Sequence, residues 1–215
     1  STDAVEALPT ALTLSSNNRL INGASNETVV LTGANFGDDT VMNFTDDETE
    51  DGVDFLDFTS YLTSQQSASG SSVSEITTPV TLSADTDAAA NEVIVASYDE
   101  DNTADTNTFD SLSAADIAAL YNDDTSIDNL VGGSFEQDEA ATVVNGMGKA
   151  VLMVENANNE GEYKVFELTW DAEVGSGDDD MSVSLLGSLD FGDSLTLTDV
   201  NLVGSAANDG LDLTV

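Results

Sequence analysis

The chain has 215 residues, of which 42 are acidic and 3 are basic, and its formal net charge is −39 with no His and no Cys. A nucleic-acid binder needs a basic surface to neutralise phosphates, so this composition excludes that class, and an anionic membrane surface would repel the chain. It also excludes disulfides, thiolate nucleophiles and imidazole ligands. Because 40% of the residues are hydrophobic and the mean hydropathy is −0.10, we expect a folded chain rather than a disordered one.

The first half of the chain predicts mostly short strands. Runs rich in β-branched residues, bounded by turn residues, predict strands at 11–14, 28–32, 40–44, 80–82 and 92–98. One helix is expected among them, because Phe58, Tyr61 and Leu62 have the i, i+3, i+4 spacing of a shared helix face. Val53, Phe55 and Leu56 lead into this helix.

The second half predicts one well-marked helix and further strands. Ser113 and Asp116 form an S-x-x-D capping pattern ahead of a helix at 114–121, and a second helical turn is expected near 126–131. The clearest hairpin joins strands at 149–155 and 162–170 through a turn of composition NANNEG. Two last strands are expected at 182–189 and 194–203.

These elements predict an α+β fold that is mainly β, an antiparallel sheet or sandwich with two or three short helices. We expect residues 26–215 to form a single β-rich domain. Residues 1–25 are expected to be an N-terminal extension, and Ala11–Leu14 within it could add as a strand to the open sheet edge of a neighbouring copy. An ordinary edge strand or a disordered tail is the alternative.

The carboxylates are concentrated in three loops between predicted strands, and aspartates outnumber glutamates two to one. Calcium takes six to eight oxygen ligands, which acidic loops supply. Asp47, Thr49, Asp51 and Gly52 match positions 1, 3, 5 and 6 of an EF-hand loop, but Phe58 stands at position 12. The second loop begins at Asp99 and lacks the glycine at position 6. Neither loop is an EF-hand.

We therefore expect calcium in at least one acidic loop, with a solvated acidic surface as the alternative. The candidate ligands are carboxylates from all three loops: Asp46, Asp47, Glu48, Asp51, Asp54, Asp99, Asp101, Asp105, Asp110, Asp178, Asp179 and Asp180.

No catalytic residues are predicted. Paired carboxylates could serve a glycosidase, but among 42 acidic residues some pair is always present. A Ser-Lys dyad would need Lys149 or Lys164, and both are expected to be strand lysines paired with a carboxylate. No cofactor other than calcium is expected.

Three segments carry a resemblance to a known family. They are GDDTVMNFTDDETEDGVDFLDFTSYL, GKAVLMVENANNEGEYKVFELTWD and SLLGSLDFGDSLTLTDVNLVGS, and the chain ends in Asp212-Leu213-Thr214-Val215. Together they resemble the C-terminal module of RTX-type, type I-secreted bacterial calcium-binding surface proteins, such as surface-layer proteins and adhesins. The nonapeptide repeats of those proteins are absent, so a calcium β-roll is not implied. The resemblance implies export through a C-terminal signal and an extracellular or cell-surface location.

The sequence therefore favours a non-enzymatic, secreted structural protein. We expect copies to assemble into an extracellular filament, sheath or surface layer stabilised by calcium, with no nucleic-acid partner and no membrane insertion. An adhesin or carbohydrate-binding module is the second hypothesis, and a carboxylate-dependent hydrolase ranks third.

Overall fold

A computed structural model gives the three-dimensional structure of the chain. The structure describes residues 11–13, 19–21, 28–31, 36–42, 44, 54–59, 61–62, 81–83, 92–100, 108–122, 130–131, 148–170 and 181–192.

Eleven strands, one α-helix of nine residues and a short helical segment that contains Thr59, Tyr61 and Leu62 are the regular elements of these described residues. The strands are β1 (Ala11–Thr13), β2 (Arg19–Ile21), β3 (Thr28–Val30), β4 (Gly37–Met42), β5 (Phe55–Asp57), β6 (Thr81–Ser83), β7 (Glu92–Tyr98), β8 (Leu130–Val131), β9 (Gly148–Asn156), β10 (Glu162–Trp170) and β11 (Ser182–Asp190). The helix, α1 (Ala114–Asn122), follows a 3-10 turn at Phe109–Ser111.

Two sheets hold these strands. The central sheet has eight strands in the order β2-β4-β11-β10-β9-β7-β6, and β8 pairs with β7 off this path. Strand β10 runs antiparallel to both β9 and β11, whereas the β11–β4, β4–β2, β9–β7 and β7–β6 pairs are parallel. The small sheet has three parallel strands in the order β1-β3-β5.

Each face of the central sheet packs against a different layer. Because side chains alternate along a strand, Val151 and Met153 of β9 point to one face, which we call the small-sheet face, and share a buried cluster with Val29 and Leu56. The other face, which we call the helix face, carries Ala150, Leu152 and Val154 of β9. It shares a second buried cluster with side chains of the helix, namely Ile117, Leu120 and Tyr121. The fold therefore has three layers with two hydrophobic cores.

Helix α1 is fixed by its own cap and by a side-chain clamp. Ser113 N donates to Asp116 Oδ2 at 2.8 Å, and Asp116 N donates back to Ser113 Oγ at 3.4 Å, as the capping pattern predicted. At the other end, the Asn122 side chain accepts from Met181 N at 2.7 Å and donates to Met181 O at 2.9 Å. The side-chain amide of Asn122 thus forms both hydrogen bonds with the Met181 backbone that a neighbouring strand would form, and it joins α1 to the residue before β11.

Two glycines lie side by side where β4 meets β11. Gly37 pairs with Gly187, and a Cβ built on Gly187 would clash with the carbonyl oxygen of Gly37 and lie 2.6 Å from the ring of Phe36. Phe36 is buried in the core of the small-sheet face. The missing side chain at Gly187 therefore lets both the backbone of β4 and this ring pack onto β11, at the point where the β10–β11 register shifts.

The predicted mainly-β fold with few helices is confirmed. The expectation of an antiparallel sheet was wrong, because the small sheet is parallel and four pairs of the central sheet are parallel as well. Hydrophobic periodicity does not report the direction in which distant strands pair. The hairpin and the helix at 114–121 are also confirmed. The expected helix near residues 58–62 is confirmed, since Thr59, Tyr61 and Leu62 are helical and Leu62 N donates to Phe58 O, and an unpredicted strand at Phe55–Asp57 precedes it. One local expectation was wrong, because Leu130–Val131 is a strand rather than part of a helical turn. The expected strand at 194–203 lies outside the described residues.

Candidate functional site

The structure describes three of the twelve predicted calcium ligands. Asp54 is buried just before β5, Asp99 is half-buried at the end of β7, and Asp110 is exposed in the 3-10 turn. Within the described ranges, no group of three or more Asp or Glu side chains is arranged to hold a metal ion. The other nine lie outside the described residues: Asp46, Asp47, Glu48, Asp51, Asp101, Asp105, Asp178, Asp179 and Asp180.

The second acidic loop is closed at its base by a residue that the sequence did not single out. Glu100 Oε1 accepts a hydrogen bond from Phe109 N at 2.5 Å, so the two ends of 101–107 lie together. Glu100 N donates to Asn158 Oδ1 at 2.9 Å, which ties the same point to the β9–β10 turn. The spacing of Glu100 from Phe109 gave no sign of this contact, because it depends on the path of the loop.

A buried ion pair lies on the small-sheet face of the central sheet. Lys149 Nζ lies 2.5 Å from Glu167 Oε2, and the two side chains are 3% and 18% exposed. Their strands are neighbours, since Glu167 of β10 pairs with Val151 of β9. The expectation that Lys149 pairs with a carboxylate is therefore confirmed.

Tyr61 completes this group from the layer above. Its hydroxyl donates to Glu167 Oε2, and its ring centroid lies 3.6 Å from Lys149 Nζ, as a cation–π contact. Ser184 Oγ also donates to Glu167 Oε1 at 3.3 Å. One carboxylate thus receives an ammonium group and two hydroxyl groups.

Burial disfavours the charged forms of Lys149 and Glu167, whereas the pairing of these two side chains favours them. Burial lowers the pKa of Lys149, and the hydrogen bond and charge of Glu167 oppose that shift. Burial alone would raise the pKa of Glu167, but the contacts with Lys149 and Tyr61 outweigh it and hold that pKa below its usual value. Burial and the Glu167 carboxylate both raise the pKa of Tyr61. With Lys149 and Tyr61 almost fully buried, the group can tie Tyr61's layer to the sheet by charge.

The N-terminal strands lie at the ends of the two sheets. Strand β1 is at one end of the small sheet and pairs with β3 in the register Leu12↔Val29. Strand β2 is at one end of the central sheet and pairs with β4 in the register Leu20↔Val41. Val29 and Val41 are buried, so both strands cover positions next to the core. Each edge strand is three residues long and pairs in parallel.

No helix in the described part of the chain has both the length and the apolar character required to cross a bilayer. Comparison with known proteins gave no match to a family model, a curated protein or a solved structure.

Proposed function

We propose that the protein is a secreted structural protein whose copies assemble into an extracellular filament, sheath or surface layer stabilised by calcium. The observation that supports this proposal best is the position of β1 and β2 at the ends of two different sheets. A segment that contains β1 and β2 can be exchanged between copies, because the edges of β3 and β4 can pair with it whether it belongs to the same copy or to a neighbouring one.

Exchange requires little new structure. Residues 11–21 would leave the edges of β3 and β4 in one copy and pair with the same edges of the next copy, keeping the registers Leu12↔Val29 and Leu20↔Val41. Head-to-tail contacts of this kind form open polymers when the rotation between copies does not close. Ile21 and Thr28 are seven positions apart, so a fully extended chain could separate them by about 25 Å at most. Neighbouring copies would therefore be in direct contact.

The net charge of the chain is the reason that calcium would be needed for assembly. Each copy carries a net charge of −39, so copies in contact repel each other unless cations lie between them. Screening by salt acts over about 8 Å at physiological ionic strength, whereas a divalent ion bound between carboxylates acts at the contact itself.

Electron microscopy of the purified full-length protein tests assembly directly. We expect filaments or sheets in millimolar calcium and dispersed particles in excess chelator, with sodium chloride of the same ionic strength failing to replace calcium. Particles that stay dispersed in every condition would refute the proposal. Glycan binding by such particles would favour the adhesin alternative, and hydrolysis of a polysaccharide would favour the hydrolase.

Cysteine cross-linking tests the strand exchange separately, because the chain has no cysteine of its own. A mixture of the single variants Leu12→Cys and Val29→Cys can form a Leu12–Val29 cross-link only between copies. We expect this cross-link, identified by peptide mass, under assembly conditions, and none when Leu12→Cys is mixed with Asn159→Cys in the β9–β10 turn. If filaments form without it, assembly stands and strand exchange is wrong.

A further inference from the structure

The ammonium group of Lys164 lies among three backbone carbonyls. Its Nζ donates to the carbonyl oxygens of Phe109, Asp110 and Leu112 at 2.7, 2.8 and 3.0 Å. An ammonium group has three N–H donors and no acceptor, so each donor has one partner here. The expectation that Lys164 pairs with a carboxylate in the manner of Lys149 is replaced by contacts with the backbone.

The three carbonyls converge because the chain turns sharply just before α1. The 3-10 turn at Phe109–Ser111 and the following Leu112 wrap around one point on the helix face of the sheet. The carbonyls of Thr108 and Ser113 accept backbone N–H groups from Ser111 and Ile117, and the Phe109 carbonyl accepts one from Leu112 in addition to the Lys164 ammonium, since a carbonyl oxygen has two lone pairs. The turn thus directs three carbonyl oxygens, each with a lone pair available, toward Lys164 of β10.

The surrounding charge suits a cation. Burial lowers the pKa of Lys164, but four carboxylates oppose that shift, the strongest effect coming from Asp110, followed by Glu162, Asp38 and Asp116. The acidic groups come from four different segments, so the positive charge at this point is favoured from several directions.

We propose that the carbonyls of Phe109, Asp110 and Leu112 form a cation site specific for a primary ammonium group, with Lys164 as its built-in occupant. Lys164 therefore does at this acidic turn what a bound metal ion would otherwise do, and fixes the start of α1 to the central sheet without calcium. The inference does not depend on assembly.

Chemical rescue of Lys164→Ala in the full chain tests the site, because this substitution removes the atoms of propylammonium. We expect Lys164→Ala to lower Tm, and propylammonium at tenfold its dissociation constant to raise Tm again by about 3–6 °C. Tetramethylammonium has no N–H donor and should not rescue. Lys164→Met fills the space of the stem and should show no rescue. Equal rescue by both cations, or rescue of Lys164→Met, would overturn the proposal.

Nuclear magnetic resonance of the unmodified chain provides a test that does not require a variant to fold. The chain has two lysines, so 15N-lysine labelling gives two ammonium signals, and Lys149→Met identifies the signal of Lys164. We expect a slowly exchanging Lys164 ammonium signal with couplings to three backbone carbonyls, present in excess chelator. A fast-exchanging signal, or one that appears only with calcium, would contradict the assignment.

Discussion

Removing Glu167 from the ion pair with Lys149 should destabilise the protein more than removing Lys149. In Glu167→Gln, the Lys149 ammonium stays 3% exposed and faces a neutral amide and the Tyr61 ring. In Lys149→Met, the Glu167 carboxylate is 18% exposed and keeps the hydroxyl groups of Tyr61 and Ser184 as donors. Lys149 therefore loses its charged partner in Glu167→Gln, whereas Glu167 keeps two of its three donors in Lys149→Met.

The magnitudes follow from this difference. An unpaired buried charge costs about 3–5 kcal/mol, and we assign that range to Glu167→Gln at pH 7. Loss of one charged hydrogen bond from a group that keeps other donors costs about 1.5–3 kcal/mol, which we assign to Lys149→Met. The double variant should lose less than Glu167→Gln alone, because no unpaired charge remains.

The pH dependence gives the second part of this prediction. In Glu167→Gln, the contacts that raise the pKa of Lys149 are gone, so burial lowers that pKa further. Between this lowered value and the ordinary lysine value of 10.5, the unfolded chain holds a proton that the folded chain does not. The free energy of unfolding of Glu167→Gln therefore rises with pH across that window. Because the pKa of Lys149 is lowered in the wild type too, but less, the deficit of Glu167→Gln relative to wild type shrinks between the two lowered pKa values.

Urea unfolding followed by circular dichroism, on protein shown to be monomeric by light scattering, measures these differences at pH 7 and at pH 9.5. Subtracting the wild-type free energy at each pH removes the contribution of the other titrating groups. Equal losses in the two single variants, or a Glu167→Gln deficit that does not shrink at high pH, would refute the assignment of an unpaired buried ammonium.

Three further predictions use the same unfolding assay. Gly187→Ala combines backbone strain at a φ of 156° with a clash against the carbonyl oxygen of Gly37 and the ring of Phe36. It should therefore cost more than Gly192→Ala, which has open space and a φ of 79° and should cost only the backbone strain of about 1–2 kcal/mol. Equal Tm shifts would contradict the clash. Ser113→Ala should cost about 1 kcal/mol through the lost cap with Asp116, and an unchanged Tm would show that the cap contributes nothing. Because the pKa of Glu167 is lowered on folding, its contribution is present above the usual value of 4.5 and is lost below it. The stability difference between wild type and the Lys149→Met/Glu167→Gln double variant should therefore shrink as the pH falls through that range, and a constant difference would contradict the lowered pKa.

The elements that the sequence predicted best are those that local interactions define. The hairpin of β9 and β10 is contiguous and has an explicit turn, and helix α1 has its cap three residues apart in Ser113 and Asp116. The strand at Phe55–Asp57 was not predicted because it is three residues long and exists through parallel pairing with β3, far away in the sequence. Periodicity reports which residues are buried, and it does not report which distant strand they pair with.

The charged contacts also differ in whether the sequence could predict them. The pairing of Lys149 with a carboxylate could be predicted, because Glu167 lies on the next strand of the predicted hairpin. The contribution of Tyr61 could not, because it comes from another layer, although its i, i+3, i+4 spacing did predict that it is buried. The three carbonyls around Lys164 carry no side-chain signal at all, since any residue type supplies a backbone oxygen.

The two lysines show how a chain with three basic residues uses them. Lys149 lies on the small-sheet face, where it contacts Tyr61, and Lys164 lies on the helix face, where it binds the turn before α1. A charge has its largest effect where the effective dielectric constant is low, so each lysine ties one outer layer to the central sheet from a partly buried position. Even if each of the three basic side chains neutralised one carboxylate, the net charge of −39 would have no counter-charge within the chain. In the proposed assembly, neighbouring copies would therefore obtain it from cations in the medium. Replacing the carboxylates that bind calcium at the contact by amides should raise the calcium concentration at half-assembly, because the ion loses its charged ligands.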